Sequence, residues 1–430
     1  MKVNIVTLGC AKNTVDSEHL AAQLAAGGFE IAYDGDTDAA RTVVVNTCGF
    51  IGDAKEESVN TILQFADAKE QGLIDRLYVF GCLSQRYAAE LPAEIPEVDA
   101  FFGVDDLSQL TIALGAKYDP ALQSARELST PRHYAYLKIS EGCDRSCSYC
   151  IIPQIRGKHR SVPEEELLAE ARLLAAKGVK ELIVIAQDTT YYGLDLYKER
   201  RLAPLLRKLC TVEGIEWVRL HYAYPAGFPG DVIDAIRDEP KICKYIDIPL
   251  QHIAEGQLRS MRRGSTGADT RALIEKLRRE IPGIAIRTTM IVGYPGETAK
   301  DFEELVEFIK RARFERLGVF PYSEEEDTIS ARTLKDDVPQ AEKERRAEYL
   351  ITVQSGITLE ENLARLGTTQ RVIVDRREGD YWVCRTQYDS PEVDQEVFIP
   401  ADNTLKPGDF CDVTIEKAGH YELYGHRSRK

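Results

Sequence analysis

The chain has 430 residues, long enough for about three domains of ordinary size, with 43% hydrophobic residues to build cores and 29% charged residues to cover them. Its formal charge of −15 argues against a protein that mainly grips bare nucleic acid phosphate and favours a basic partner. The opening MKVNIVTLGC has a short apolar run that stops at Gly9, unlike a signal peptide, and stretches such as ELIVIAQ are far too short to span a bilayer.

A cytoplasmic, non-membrane protein is therefore expected, whose ten cysteines serve as metal ligands or reduced thiols rather than disulfides. From residue 1 to about 120, β-branched runs alternate with helical stretches. KVNIVTLG leads into SEHLAAQLAAGGF, TVVVNTCGF into AKEESVNTILQFADAK, and RLYVFGCL into SQRYAAEL. Continuous apolar strands between helices predict a parallel α/β sheet covered on both faces. Each of these strands runs directly into a cysteine: Cys10, Cys48 and Cys82, separated by 38 and 34 residues. Parallel strands present their C-terminal ends along one edge, where open α/β sheets bind ligands. Three thiols scattered along the chain are thus expected to converge as metal ligands. Free cysteine is also often plain core, but the same position three times is hard to credit to packing.

From about 131 to 363 the strand–helix alternation repeats six times, with strands YAYLKIS, ELIVIAQD, WVRLHYAYP, YIDIPLQH, AIRTTMIVGYP and RLGVFPYS. Six βα units predict an open, partial (βα) barrel rather than a doubly wound sheet, because polar residues collect at the strands' C-terminal ends, the face on which barrel enzymes place their chemistry. Lys138, Glu141, Gln187, Asp188, His221, Tyr222, Gln251, His252 and Arg287 are candidates there for substrate or cofactor contacts. Gln187 and Gln251 are taken as cofactor-binding. Position alone supports all of them, and no catalytic role is assigned to any.

Just beyond the first of these strands, EGCDRSCSYC places Cys143, Cys147 and Cys150 in C-x3-C-x2-C spacing. Thiolates select iron–sulfur clusters, zinc or copper(I). Structural zinc closes a tetrahedron with four protein ligands, and the only nearby completions, His133 and His159, lack zinc-finger spacing. A cubane held by three cysteines instead leaves one iron open to bind something else. Zinc or a reactive thiol cluster remain the alternatives. Cys210, Cys243, Cys384 and Cys411 have no such companions and read as small core residues.

The last region, 364 to 430, is built of short strands, QRVIVDRR, YWVCRTQ, EVFIP and FCDVTIEKAG, broken by EGD, DSPEVD and KPGD. It predicts a small antiparallel barrel of the nucleic-acid-binding type. From Arg365 to Lys430 there are ten Lys or Arg, three of them in the terminal HRSRK, and twelve Asp or Glu. A barrel gripping RNA should be basic; the acidic DSPEVDQE suits docking on a basic protein.

With Tyr149 before its last cysteine, and following the first of six βα units, the C-x3-C-x2-C motif resembles that of the radical S-adenosylmethionine superfamily. The resemblance implies a four-iron (4Fe-4S) cluster whose open iron chelates S-adenosylmethionine, which one electron cleaves to methionine and a 5′-deoxyadenosyl radical. MIVGYPGE, ending the fifth strand, resembles the superfamily's glycine-rich adenine-binding segment, with Gly293 and Gly296 letting the backbone approach the ring. Two three-cysteine sets and a small C-terminal barrel resemble the methylthiotransferases over nearly the whole chain. That likeness implies an N-terminal cluster-binding domain (1–120), a radical S-adenosylmethionine domain (131–363) and a TRAM domain (364–430). It implies a second 4Fe-4S cluster at Cys10, Cys48 and Cys82, S-adenosylmethionine as both radical source and methyl donor, and an electron donor such as flavodoxin or ferredoxin.

One branch of that family modifies an adenosine in transfer RNA, the other the β-carbon of an aspartate in protein twelve of the small ribosomal subunit. TLGCAKNTVDSE, NTCGFI, GCLSQRY, YAYLKISEGCDRSCSYCIIPQIRG, AQDTTYYG, RLHYAYP and IPLQH resemble the ribosomal branch, with Ala11 standing where proline is expected. An iron–sulfur carrier or sensor without turnover is the alternative outside enzymes; a six-unit barrel argues against it, because a carrier needs no substrate cavity.

Overall fold

The structure, a computed structural model, describes residues 1–36 and 38–428; of the basic tail, Arg429 and Lys430 lie outside the described residues. The chain divides into two compact units, one comprising Met1–Thr130, Tyr136–Arg145 and Cys150–Leu174, the other Pro131–Ala135, Ser146–Tyr149 and Ala175–Lys430.

The first unit contains a five-stranded parallel sheet of β1 (Lys2–Thr7), β2 (Glu30–Tyr33), β3 (Thr42–Thr47), β4 (Arg76–Gly81) and β5 (Ala100–Phe102), in the order β2-β1-β3-β4-β5. All six residues of β3 are buried, as a central parallel strand covered on both faces requires. Alternation along β3 feeds two cores. Val44 packs with Leu20, Ala21 and Leu24 of helix Ala11–Ala26, while Val43 and Val45 pack with Ile62, Phe65 and Ala66 of helix Gly52–Glu70. The edge strands β2 and β5 were not legible in the sequence, being short and only partly buried.

A six-stranded sheet comprises β6 (Tyr134–Lys138), β9 (Glu181–Ile185), β10 (Trp217–Leu220), β11 (Ile242–Asp247), β12 (Ala285–Val292) and β13 (Arg316–Pro321). Strands β7 (Ser140–Glu141) and β8 (Arg160–Ser161) form a separate antiparallel pair at the base of the cysteine loop. The order β13-β12-β11-β10-β9-β6 follows the chain and the pairings from β9 to β13 are parallel, which is the partial barrel the sequence predicts. Intervening helices start at readable caps. Helices Gly267–Glu280 and Ala299–Ala312 open with reciprocal Thr266–Asp269 and Thr298–Asp301 capping boxes, which satisfy backbone N–H groups that would otherwise lack partners.

The C-terminal strands β14 (Thr369–Glu378), β15 (Tyr381–Thr386), β16 (Glu396–Pro400), β17 (Phe410–Ala418) and β18 (Glu422–Arg427) close into a barrel, β14-β15-β16-β18-β17. The barrel is antiparallel as expected in four of its pairings; β16 and β18 pair in parallel, because β17 lies between them in the chain and occupies the far side of β18. Its core is Val372, Val374, Trp382, Val397, Ile399, Val413, Ile415 and Leu423, with Cys384.

Part of the acidic surface expected on this barrel, Asp389 and Asp394, is turned inward within the second unit, while Glu392 stays exposed. Asp389 pairs with Arg316, the first residue of β13, and Asp394, its side chain 1% exposed, accepts from Tyr245 and faces Arg287 at 3.4 Å. Glu392 accepts from the Tyr134 hydroxyl, and Ser390 Oγ lies 2.9 Å from His221 Nε2. Glu181 takes Arg219 on one carboxylate oxygen and Arg385 on the other, both at 2.7 Å. Burial pushes the Glu181 carboxyl up, but the two guanidiniums outweigh it and hold it below its ordinary value. Arg385 continues to Asp375, which also meets His133 Nε2 at 2.7 Å. Asp389 and Asp394 of the DSPEVD loop thus supply counter-charges to Arg316 and Arg287 of the six-stranded sheet.

Candidate functional site

Cys10, Cys48 and Cys82 follow the C-terminal ends of β1, β3 and β4, three consecutive neighbours in the first unit's parallel sheet. Their approach is built into the backbone. Gly9 has φ +91°, and a Cβ there would stand 2.7 Å from Cys48 Cβ and 3.0 Å from its sulfur. Only glycine therefore fits where the end of β1 passes Cys48. Asn13, fully buried, ties two strand ends together by donating to Leu8 O and Thr47 O. Ser58 Oγ accepts from the Cys48 N–H and donates to the Cys48 carbonyl.

Arg156 reaches the same place from the loop beyond Cys150. Ile151 and Ile155 pack on Cys82, and the guanidinium then donates through Nε to Cys82 Sγ at 3.2 Å, through Nη2 to Asn13 Oδ1 at 2.6 Å, and through Nη1 to Glu141 at 2.9 Å and Asp16 at 3.2 Å. Lys138 completes the group, bound to Asp16 and, at 2.7 Å, to Glu141. Burial pushes the Cys48 thiol up, with Cys10 adding to the effect. Burial likewise pushes Cys82 up to about 11, although Arg156 pulls the other way. The backbone at Gly9 passes against Cys48, and Asn13, three residues beyond Cys10, has its Oδ1 3.9 Å from Cys82 Sγ, so the three cysteines share one neighbourhood. Such thiols become thiolates when a metal replaces the solvation they lack. Among the described residues no three Cys, His, Asp or Glu crowd one point as ligands of a single ion would; a cubane gives each thiolate a different iron. Three soft donors at one sheet edge, with a glycine where a side chain would intrude, fit such a cluster.

In the C-x3-C-x2-C loop, Cys143 donates its N–H to Gly157 O at 3.1 Å and its sulfur faces the Arg145 N–H at 3.4 Å. Cys147, in the second unit, is buried, with Arg263 Nη1 at 3.2 Å and the Tyr224 hydroxyl at 3.7 Å from its sulfur. Arg263 also donates to the Tyr149 hydroxyl and to Pro249 O. Ser148 pins the loop through Ser260 O, Met261 O and the Tyr294 hydroxyl. Cys143 and Cys150 are partly exposed. Cys210 and Cys243 are buried, and Cys384 and Cys411 lie in or against the small barrel's core.

The other candidates separate by position. Lys138 and Glu141 belong to the charge group around Arg156. Arg287 is the third residue of β12, not at its C-terminal end, and faces Asp247 and Asp394. His221 is engaged with Ser390. Asp188 caps a short turn by accepting from the Thr190 N–H and hydroxyl. Gln187 and Tyr222 follow β9 and β10, and Tyr222 donates its N–H to Asp247. Gln251, with φ +75°, bridges to Met290 and buries a side-chain oxygen that has no hydrogen-bond partner among the described residues. Gly293 and Gly296 both have positive φ. A Cβ on Gly293 would collide with the Lys343 side chain, so its missing side chain makes room for that lysine. The same position on Gly296 is open, and the Gly296 N–H is held by Asp337 at 2.8 Å. Asn13, Arg156 and Arg263 escaped sequence reasoning; CAKNTVDSE and IPQIRG contain the first two, but nothing local marks them as neighbours of a thiol.

His252 is fully buried and accepts the Ala254 N–H on Nδ1. Burial, helped by Arg346 against Asp301, lowers its pKa to about 4, so it is neutral in the folded chain. Between pH 6.5 and that value the unfolded chain binds a proton that the folded one refuses, and stability falls as pH falls. At about 1.36 kcal/mol per unit, lowering pH from 6.5 to 5 should remove about 2 kcal/mol. Replacing His252 by Asn, which keeps an acceptor and cannot titrate, should flatten the pH dependence by that amount. Denaturant melts of both proteins at pH 7 and pH 5 measure it.

Family models match in three places: Radical SAM superfamily over residues 137–309, uncharacterized protein family UPF0004 over 2–103, and TRAM domain over 366–427. The chain is 53% identical over 425 residues to the ribosomal protein uS12 methylthiotransferase RimO of Cytophaga hutchinsonii, covering 99% of this chain and 97% of that one. It is 54% identical over 426 residues to the protein of the same name from Flavobacterium johnsoniae, with the same coverage. Among solved structures, the radical S-adenosylmethionine methyltransferase TsrM from Kitasatospora setae, with cobalamin and a [4Fe-4S] cluster bound, matches with TM-score 0.55 at 16% identity over 77% of each chain. OxsB, a cobalamin-dependent S-adenosylmethionine radical enzyme, matches with TM-score 0.52 at 12% identity over 82% of this chain and 56% of that one. At these identities the two structures establish a shared fold.

Proposed function

Because this chain belongs to the family of ribosomal protein uS12 methylthiotransferases named RimO, we propose that it attaches a methylthio group to the β-carbon of an aspartate in uS12, protein twelve of the small ribosomal subunit. The observation that supports this reading is that Cys10, Cys48 and Cys82 follow three adjacent parallel strands, in addition to the C-x3-C-x2-C set at Cys143, Cys147 and Cys150. One three-cysteine set suffices for radical formation; a second has a purpose only if the reaction needs another site, such as one that supplies sulfur. When bound, two four-iron clusters and S-adenosylmethionine would supply the radical that removes a hydrogen from an unactivated carbon, the sulfur inserted there and the methyl group that caps it.

The chain's own residues bind and orient. Each cysteine triplet would hold a four-iron cluster through three thiolates. The open side of Gly296 and the buried amide of Gln251 offer backbone and side-chain contacts to S-adenosylmethionine, as does Gln187, while Gly293 serves by seating Lys343 behind the segment. The domains 1–120, 131–363 and 364–430 carry sulfur supply, radical formation and substrate docking. No helix among the described residues is long and apolar enough to cross a membrane; a cytoplasmic enzyme reduced by flavodoxin or ferredoxin completes the proposal. The test is to incubate reconstituted enzyme with uS12 and, separately, with transfer RNA, and to analyse both by mass spectrometry. A methylthio mass gain on an aspartate peptide of uS12 is expected. A modified adenosine with unaltered uS12 would overturn the assignment.

A further inference from the structure

One cysteine of each triplet has its sulfur bound by a buried arginine at the same distance, Arg156 Nε to Cys82 and Arg263 Nη1 to Cys147, both 3.2 Å. Arg156 is 2% exposed and Arg263 4%. Neither arginine shares an element with the sulfur it touches. Arg156 comes from 74 residues away and Arg263 from 116, so these contacts are products of tertiary folding and not of local geometry.

At Arg156 the charges can be followed. Asp16 and Glu141 stand against Lys138 and Arg156, two anions against two cations, so the group is neutral before any thiolate is added. What reaches the sulfur is chiefly a directed N–H dipole, fixed because both terminal nitrogens of the guanidinium are held, by Asn13 on Nη2 and by Asp16 and Glu141 on Nη1. One-electron reduction of a cluster places more negative charge on its sulfurs. A fixed donor to a ligating sulfur therefore strengthens on reduction and raises the reduction potential.

We infer that Arg156 is a positioning residue that raises the reduction potential of the iron–sulfur cluster at Cys10, Cys48 and Cys82, and that Arg263 does the same for the cluster at Cys143, Cys147 and Cys150. The inference rests on the reading that both triplets carry four-iron clusters. Each arginine acts on its own cluster, so the two potentials are set independently. Arg156 also explains why the loop after Cys150 packs on Cys82: it brings the donor there.

The test uses full-length chains carrying one cluster each. In the chain with Cys143, Cys147 and Cys150 replaced by alanine, the remaining cluster is titrated with dithionite and followed by electron paramagnetic resonance, with Arg156 intact, as Arg156→Lys and as Arg156→Gln. The midpoint should fall by about 59 mV in Arg156→Gln, a tenfold change in the one-electron equilibrium, and by less in Arg156→Lys, which keeps the charge and loses the fork. The same substitutions should leave the midpoint of the other cluster unmoved in the chain lacking Cys10, Cys48 and Cys82, where Arg263→Gln should lower it. Unchanged midpoints at full iron content overturn the inference. Should a variant fail to hold iron, chains with intact arginines grown on 15N-arginine decide, because an N–H···S contact must give a 15N hyperfine coupling to the reduced cluster; its absence also overturns the inference. If the chain with Arg156 intact binds no four-iron cluster at Cys10, Cys48 and Cys82, the cluster reading itself has failed, which is a distinguishable result.

Discussion

A chain with Cys143, Cys147 and Cys150 all replaced by alanine is expected to form no 5′-deoxyadenosine above background while still binding iron at its other three-cysteine set. The expectation follows from ligand arithmetic. A cubane held by three thiolates has one iron to offer S-adenosylmethionine, and without these thiolates there is no soft-donor set in that loop. The fold should tolerate the change. Cys143 and Cys150 are partly exposed, and Ser148 pins the loop through backbone and hydroxyl partners that the substitutions leave in place. Deoxyadenosine is measured by chromatography after anaerobic reconstitution and reduction, with iron counted per chain. Undiminished cleavage in the triple variant would remove this loop from the reaction.

The complementary variant, with Cys10, Cys48 and Cys82 replaced by alanine, is expected to keep forming 5′-deoxyadenosine and to lose methylthio transfer entirely. Those cysteines follow strands of the first unit's five-stranded sheet, and none lies in the C-x3-C-x2-C loop. Removing them deletes a site, not the radical source. Cys48 and Cys82 are buried, so the variant loses some packing. Alanine is nevertheless a small change at strand ends held by Asn13 and Ser58, and circular dichroism separates a folding defect from a chemical one. Full transfer in this variant, or a stoichiometric zinc in the unsubstituted site, would show that this set serves something other than sulfur supply.

The parts legible in the sequence were those in which local pattern and chemistry coincide. Apolar runs followed by cysteine announced β1, β3 and β4 and their shared parallel sheet, because strand burial and side-chain type can both be read within ten residues. The order of the six-stranded sheet was legible because each βα unit neighbours the next. What escaped depends on distant pairing. Arg156 in IPQIRG looks like an ordinary basic loop residue until Asp16 and Glu141 balance it and Cys82 receives its Nε. Gly293, read as a place for a ligand to approach, also seats Lys343, which belongs to a helix far along the chain. Asp389 and Asp394 looked like a surface for a basic partner, and their arginines are as many as 107 residues away in sequence. The parallel pairing of β16 with β18 has no signature in either strand.

The ion pairs that join the C-terminal barrel to the six-stranded sheet bear on how this enzyme could be rebuilt. Glu181, Arg219 and Arg316 are buried, and from the barrel Arg385, Asp389 and the carbonyls of Thr386 and Gln387 meet them. Leaving one member of such a buried pair alone costs about 3–5 kcal/mol, a large part of what holds a domain folded. The C-terminal barrel is therefore not an interchangeable cartridge. A chimera that grafted on the barrel of a transfer-RNA-modifying relative would orphan several charges at once unless the receiving arginines and glutamate were transplanted with it.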